Sequence, residues 1–257
     1  MRLVMNFPQQ LGSFAAHVTD MPRIKWPHPA YDVLQRGIAI LPDVESVGHY
    51  YSAYGSIHVE RVTPLLDALI ENSSICKRSF QTVDWGCGAL LATYLLRDRL
   101  HAAGLAHHHR RAVGTDASEA SLRQATAWWP HFGIADAGVV LHHGRVDATV
   151  EETLASLRSD LPTLHLAANF LDLPSLNHTV LGKTIGQAMR PGDVFAAVSP
   201  CRGFLLNRFE EALGTKTSIA PPDYTKLSGK IRSTSAFIIE KTATLQHAKI
   251  MNHGLVF

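Results

Sequence analysis

Val83-Asp84-Trp85-Gly86-Cys87-Gly88-Ala89 is the stretch that decides the fold. A short apolar run stops at two glycines one residue apart, and an Ala- and Leu-rich stretch follows. Glycines belong where a chain turns sharply and a ligand must approach bare backbone. The loop by itself names no ligand. A dinucleotide fingerprint needs Gly or Ala at position 91, where Leu91 stands, and the G-x-x-x-x-G-K-S/T phosphate loop is absent.

Outward from this loop the pattern alternates. Strands are predicted over 81–85, 112–115, 138–142, 164–169 and 194–199. Helices are predicted over 89–103, 118–129, 149–158, 175–189 and 204–213. Gly104 suits a helix C-cap, Ser118 an N-cap, and Pro130 closes the helix that Ser118 opens. Arg190-Pro191-Gly192-Asp193 reads as a turn. The tail adds strands over 236–240 and 244–250. Such alternation implies a doubly wound α/β fold, mostly parallel and seven-stranded, with helices on both faces. Ligands in such sheets bind outside the carboxyl ends of the strands, where the order reverses.

Residues 1–57 differ from the rest. Five prolines and scattered aromatics, among them Trp26, Tyr31, Tyr50, Tyr51 and Tyr54, break long elements. This part reads as an irregular segment of short helices forming a lid or acceptor pocket. A helix over 58–72 then leads into the main domain, 58–257.

Composition bounds the function. The chain has 257 residues, 46% hydrophobic and 18% charged. That excludes a disordered tail protein and a coiled coil. A net charge of +2 is too small for a protein that coats nucleic acid. Residues 202–257 hold eight Lys/Arg against four Asp/Glu, which permits an anionic partner without demanding one. Three cysteines without a Cys-x-x-Cys pair exclude a disulfide framework and a four-thiolate zinc site. Reduced thiols in the cytoplasm are expected. No run reaches the roughly 18–20 apolar residues of a membrane span, and residues 1–18 lack the unbroken apolar core of a secretory signal.

A second motif joins the first. Val113-Gly114-Thr115-Asp116-Ala117-Ser118 ends the next strand on a carboxylate. An ionised Asp is acceptor-only, and its two oxygens suit the two hydroxyls of a ribose. Together, Asp84-x-Gly86-x-Gly88 and Gly114–Ser118 resemble the class I S-adenosylmethionine-dependent methyltransferases. The likeness runs from about residue 58 to 245. Met189–Asp193 resembles that family's turn before the fifth strand, and Leu90 stands where its motif often has a third glycine.

The resemblance implies S-adenosyl-L-methionine as cofactor and a small-molecule acceptor. Gly86, Cys87 and Gly88 would let backbone approach the cofactor, with Cys87 only filling the turn. Asp84 would help hold the methionine ammonium, or else cap the next helix. Asp116, with Ala117 beside it, would bind the ribose. Asp147 would accept from the adenine amine, and Asn169 would lie near the sulfonium methyl. A base is needed only for an acceptor that must lose a proton, and His178 and Asp172 flank the fourth-strand loop for that task. His165 is expected to point into packing. The triplet His107-His108-His109 is expected in a solvated loop.

Asn169-Phe170-Leu171-Asp172 does not match the amino-methylating motif D/N-P-P-Y/F. Cys201 follows the fifth strand, where some RNA cytosine methyltransferases carry a nucleophile, but the partner cysteine is missing. Three alternatives stay open: an RNA methyltransferase, a methyltransferase-like binding subunit without activity, and a nicotinamide-dependent oxidoreductase, against which Leu91 argues.

Overall fold

A computed structural model describes residues 12–25, 28–35, 39–134, 137–200, 203–214, 219–224 and 234–242. Short helices α1 (Phe14–Thr19), α2 (Ala30–Leu34) and α3 (Val44–Tyr50) come first. A π-helical turn, Tyr51–Gly55, joins α3 to the long α4 (Ser56–Asn72). The alternation follows: β1 (Phe80–Trp85), α5 (Leu91–Ala102), β2 (His109–Asp116), α6 (Glu119–Phe132), β3 (Val139–His143) and α7 (Val146–Ala155). Then come β4 (Thr163–Ala168), α8 (His178–Ala188), β5 (Val194–Pro200), α9 (Gly203–Leu213) and β6 (Thr234–Glu240).

Six strands form one sheet in the order β3-β2-β1-β4-β5-β6. All pairings are parallel except β5 with β6. The doubly wound, mostly parallel class is as expected; the count is six among the described residues. The further strand expected over 244–250 lies outside them, as does Cys201. Strand order reverses at β1, with β2 and β3 added on one side and β4 and β5 on the other, so the crevice above the carboxyl ends of β1 and β4 is the switch point.

Both faces of the sheet are buried, and period-two alternation divides them. On β5, Val194, Ala196 and Val198 face the core formed with α4, α5, α6 and the N-terminal helices. Phe195 and Ala197 face the core formed with α7, α8 and α9. Phe195 sits against Phe209 and Phe237, with ring centroids 5.1 and 5.7 Å away. The N-terminal helices belong to the first core. Phe14 packs against Tyr94, Trp128 and Phe132 at 4.8, 5.5 and 5.1 Å.

Three expectations need correction. Pro130 does not close α6 but lies inside it, with the helix running on to Phe132. A proline there costs roughly 3 kcal/mol, yet burying Trp128, Trp129 and Phe132 is worth about 1.5–3 kcal/mol apiece. Packing outweighs the local rule. Helix α7 starts at Val146 rather than 149, which puts Asp147 in its first turn. The histidine triplet is not a solvated loop throughout. His109 opens β2, is buried, and meets Thr82 Oγ1 through Nε2 at 3.0 Å. Among the described residues no helix is long and apolar enough to cross a membrane, and no group of three His, Cys, Asp or Glu could hold a metal.

Candidate functional site

A cleft of about 430 Å³ opens above the switch point. Its floor is the β1–α5 loop, where Gly86 and Gly88 have φ of +62° and +51°. A side chain at Gly86 would sit 2.3 Å from the Phe170 ring, so only glycine lets the loops after β1 and β4 close on each other. At Gly88 nothing lies within 4 Å of an added Cβ, and bare backbone faces open space.

Leu90 also holds a left-handed backbone, φ +65°. Its buried side chain lies over Gly114, where a Cβ would come within 2.8 Å of it. Burying a leucine is worth about 1.5–3 kcal/mol, against about 1–3 kcal/mol for a non-glycine residue in this region. Gly114 makes room for the leucine that replaces the third glycine.

Asp116 ends β2 on the wall of the cleft. Its Oδ2 accepts from the Gly88 N–H and its Oδ1 from the Ser118 N–H, both at 2.8 Å. One carboxylate thus ties the two loops. Each oxygen keeps lone-pair capacity for a ligand hydroxyl. Burial raises its pKa, and the two N–H bonds oppose that. Ala117 lines the cleft beside it. Ser118 caps α6 by accepting from Ser121 N–H at 3.1 Å, and its Oγ donates to the Leu41 carbonyl at 2.7 Å. That bond fastens the 39–41 strip, also part of the lining, to the rim.

Asp84 lies behind the floor. It is 1% exposed, and its Oδ2 accepts from Thr93 N–H and Oγ1 at 3.2 and 2.9 Å. It therefore does cap the first turn of α5. Burial pushes its pKa up to about 7. Cys87 turns inward; its N–H donates to the Thr115 carbonyl at 3.0 Å, and burial pushes its thiol pKa well up.

Asn169 follows β4 with φ +57°, held by its N–H on the Val198 carbonyl at 2.7 Å. It is part of the cleft lining. Tyr50 lines it too, and its hydroxyl meets His58 Nε2 at 2.9 Å. Arg61, behind them on α4, donates from Nη1 to Asn169 Oδ1 at 2.6 Å and from Nε to Thr234 Oγ1 at 3.2 Å. His58 and Arg61 escaped the sequence reading, whereas Tyr50 was named only as one of the aromatics of the N-terminal segment. The available signal was His58 and Arg61, three apart on α4, interrupting a stripe that is otherwise apolar.

Other expected residues are not brought to the cleft. Asp147 is held by Arg145, Nε to Oδ1 at 3.1 Å and Nη2 to Oδ2 at 3.0 Å; Arg145, not Asp147, lines the opening. His178 is buried, and its Nε2 donates to the Leu171 carbonyl at 2.7 Å. Asp172 is not in the lining, but its charge acts on Tyr50 and Arg61. His165 is packed between Trp85 and Phe195 and accepts from Trp85 Nε1 at 3.3 Å; burial pushes its pKa down to about 3.

No family model and no curated protein matches the sequence. Solved structures do resemble the fold. Mitomycin 7-O-methyltransferase MmcR is 11% identical, with a TM-score of 0.52 over 89% of this chain and 66% of that one. The S-adenosylmethionine-dependent methyltransferase SibL is 14% identical, with a TM-score of 0.50 over 88% of this chain and 65% of that one. The pyocyanin biosynthetic protein PhzM is 15% identical, with a TM-score of 0.50 over 88% of this chain and 66% of that one. This chain therefore spans slightly less than two thirds of each. It has the class I methyltransferase fold.

Proposed function

We propose that this chain is a cytoplasmic S-adenosylmethionine-dependent methyltransferase acting on a small-molecule acceptor. The observation that carries the reading is Asp116, which joins the Gly88 and Ser118 backbones at the switch point while keeping acceptor capacity toward the cleft. The open backbone at Gly88 and the acceptor-only carboxylate fit an adenosyl group with two ribose hydroxyls.

When bound, a sulfonium supplies an electrophilic methyl together with its own leaving group. The chain's residues then have to hold, orient and dry the site. Asp116 accepts from ribose hydroxyls and Ala117 packs beside them. Gly86, Cys87 and Gly88 supply backbone, and Asp84 provides negative charge for the methionine ammonium. Asn169 stands near the reacting methyl. The N-terminal segment, through 39–41, Tyr50 and Tyr51, covers the acceptor side. Asp172 and His178 are the candidate bases for an acceptor that must lose a proton, His178 through Nδ1, since its Nε2 proton is given to the Leu171 carbonyl. Arg145, not Asp147, stands at the opening.

The left-handed Leu90 weakens the case for an inactive binding subunit, since the missing glycine is accommodated by Gly114. Calorimetric titration with S-adenosylmethionine tests the proposal, with NADH as control and Asp116→Ala alongside. Micromolar binding that is lost in Asp116→Ala is expected. Binding of neither compound, or of NADH alone, refutes it.

A further inference from the structure

Among the described residues that line the cleft, only Asp116 and Arg145 are charged. Arg145 is ill suited to its place. It stands immediately before α7, where Ser, Thr, Asp or Asn would cap the helix, and its side chain makes no cap bond. A cation is also disfavoured at the positive end of a helix. Residues that break a local rule in this way concentrate at functional sites.

The guanidinium is nonetheless held in one plane. Nε and Nη2 donate to the two oxygens of Asp147 at 3.1 and 3.0 Å, and Nη2 donates again to the Ser175 carbonyl at 3.2 Å. Ser175 follows β4 and is itself in the lining, so the guanidinium reaches from the loop after β3 to the loop after β4 along the edge of the cleft. The backbone is fixed as well. The Arg145 carbonyl accepts from Thr149 N–H at 3.0 Å and from Thr149 Oγ1 at 3.1 Å, and the Gly144 N–H donates to the Asp116 carbonyl at 3.0 Å. A guanidinium has five N–H donors, and these bonds use three. Among the described residues Nη1 has no partner, and the side chain is exposed, so two N–H groups stay open to a ligand. The acceptors beside them are engaged. Both Asp147 oxygens and the Ser175 carbonyl face Arg145, and the Ala117 carbonyl accepts from His143 Nε2 at 3.2 Å.

On the proposed function, Asp116 takes the ribose hydroxyls and the methionine arm runs toward Asp84 and the glycine loop. The base leaves the ribose on the other side, toward the next strand outward, β3, where Ala117, Val146 and Arg145 line the cleft. One edge of a 6-aminopurine offers the N7 acceptor and an amine donor, whereas a 6-oxopurine offers two acceptors, N7 and O6, to which arginine donates. A carboxylate accepting from the amine would choose the other way.

We infer that Arg145 reads the purine of the ligand by donating to it, so that the cleft takes a 6-oxopurine nucleoside thioether, S-inosylhomocysteine, at least as well as S-adenosylhomocysteine. The inference rests on the proposed methyltransferase reading.

The test is calorimetric titration of the full chain with these two thioethers. S-inosylhomocysteine is expected to bind more tightly than S-adenosylhomocysteine or within about threefold of it. Arg145→Ala is expected to shift the ratio of the two affinities toward the adenosyl compound by about threefold or more. Arg145→Glu, which puts an acceptor in its place, shifts it further the same way. Asp116→Ala weakens both compounds alike, because their riboses are identical. An adenosyl preference beyond threefold in the unmodified chain, or a smaller shift in Arg145→Ala, overturns the inference and leaves the methyltransferase reading standing. If Arg145→Ala fails to fold, Arg145→Met keeps the stem, removes the donors and is held to the same threshold, and the ratio on the unmodified chain decides without either variant. Binding of neither thioether refutes the methyltransferase reading and this inference with it.

Discussion

Leu90 and Asp84 each carry a local cost, and only at Leu90 do the surroundings outweigh it. Leu90→Gly relieves a left-handed backbone worth about 1–3 kcal/mol. It also empties a fully buried site, and losing a buried leucine costs about 2–5 kcal/mol. The larger figure decides, so a lower denaturant midpoint is expected despite the better backbone. Asp84 has a folded pKa of about 7 against an ordinary 3.8. The folded state thus holds its proton more tightly than the unfolded one. Asp84 costs nothing below about pH 4 and progressively destabilises the fold as pH rises toward 7. Asp84→Asn is expected to melt higher than the parent at pH 8, by an amount on the order of 1–4 kcal/mol, with the gap closing by pH 4. A gap that widens on acidification contradicts this. On the proposed function, an ammonium beside Asp84 draws it back to the ionised form, so cofactor affinity falls as pH drops below 7. At this scale Asp116 was legible, because a lone acid after a strand beside a glycine loop has few other uses. Arg61 was not, because its meaning depends on two residues more than 100 positions away, Asn169 and Thr234.

Helix packing shows where local rules yield to neighbours. Gly182 and Gly186 lie one turn apart on α8, facing α9. An added Cβ would come within 2.7 Å of Ala212 at the first position and 2.3 Å of the Leu213 carbonyl at the second. Gly186→Ala ought to raise helix propensity by about 1 kcal/mol, but here a backbone atom occupies the space. Thermal denaturation is expected to show net destabilisation of roughly 1–3 kcal/mol from overpacking; a higher melting temperature would show that the helices can separate at little cost. Periodicity made most of the strands and helices legible within a few residues of their ends, since each buries a repeating face. Pro130 was misread because proline acts on its own turn, whereas Trp128 and Phe132 beside it act through Phe14, more than 110 residues earlier, and Trp129 through Tyr94. The start of α7 was misplaced for a related reason. Nothing in the run from Arg145 to Thr149 marks a cap, and Arg145 offers no side-chain cap bond.

Across the whole molecule, the prolines and aromatics of 1–57 marked a segment of different texture, and its lid role is carried here as a proposal. Its rings, however, enter the main core: Phe14 and Tyr51 both meet Trp128. Phe14→Ala is therefore expected to cost about 3–5 kcal/mol, read as a fall in melting temperature, although Phe14 is not part of the cleft lining. An unchanged melting temperature would mean that the segment rests on the domain without supporting it. The Ala15 N–H donates to Asp98 Oδ2 at 2.8 Å, a second fastening between α1 and α5. The bonds from Asp116 to Gly88 and Ser118 have a consequence in time. Two loops already joined need not find each other before a ligand can enter. Association should then proceed in one phase, with an observed rate that rises linearly with ligand concentration and shows no plateau from a preceding rearrangement. The clock for each encounter is diffusion into the opening, and selectivity is expressed in how slowly the ligand leaves.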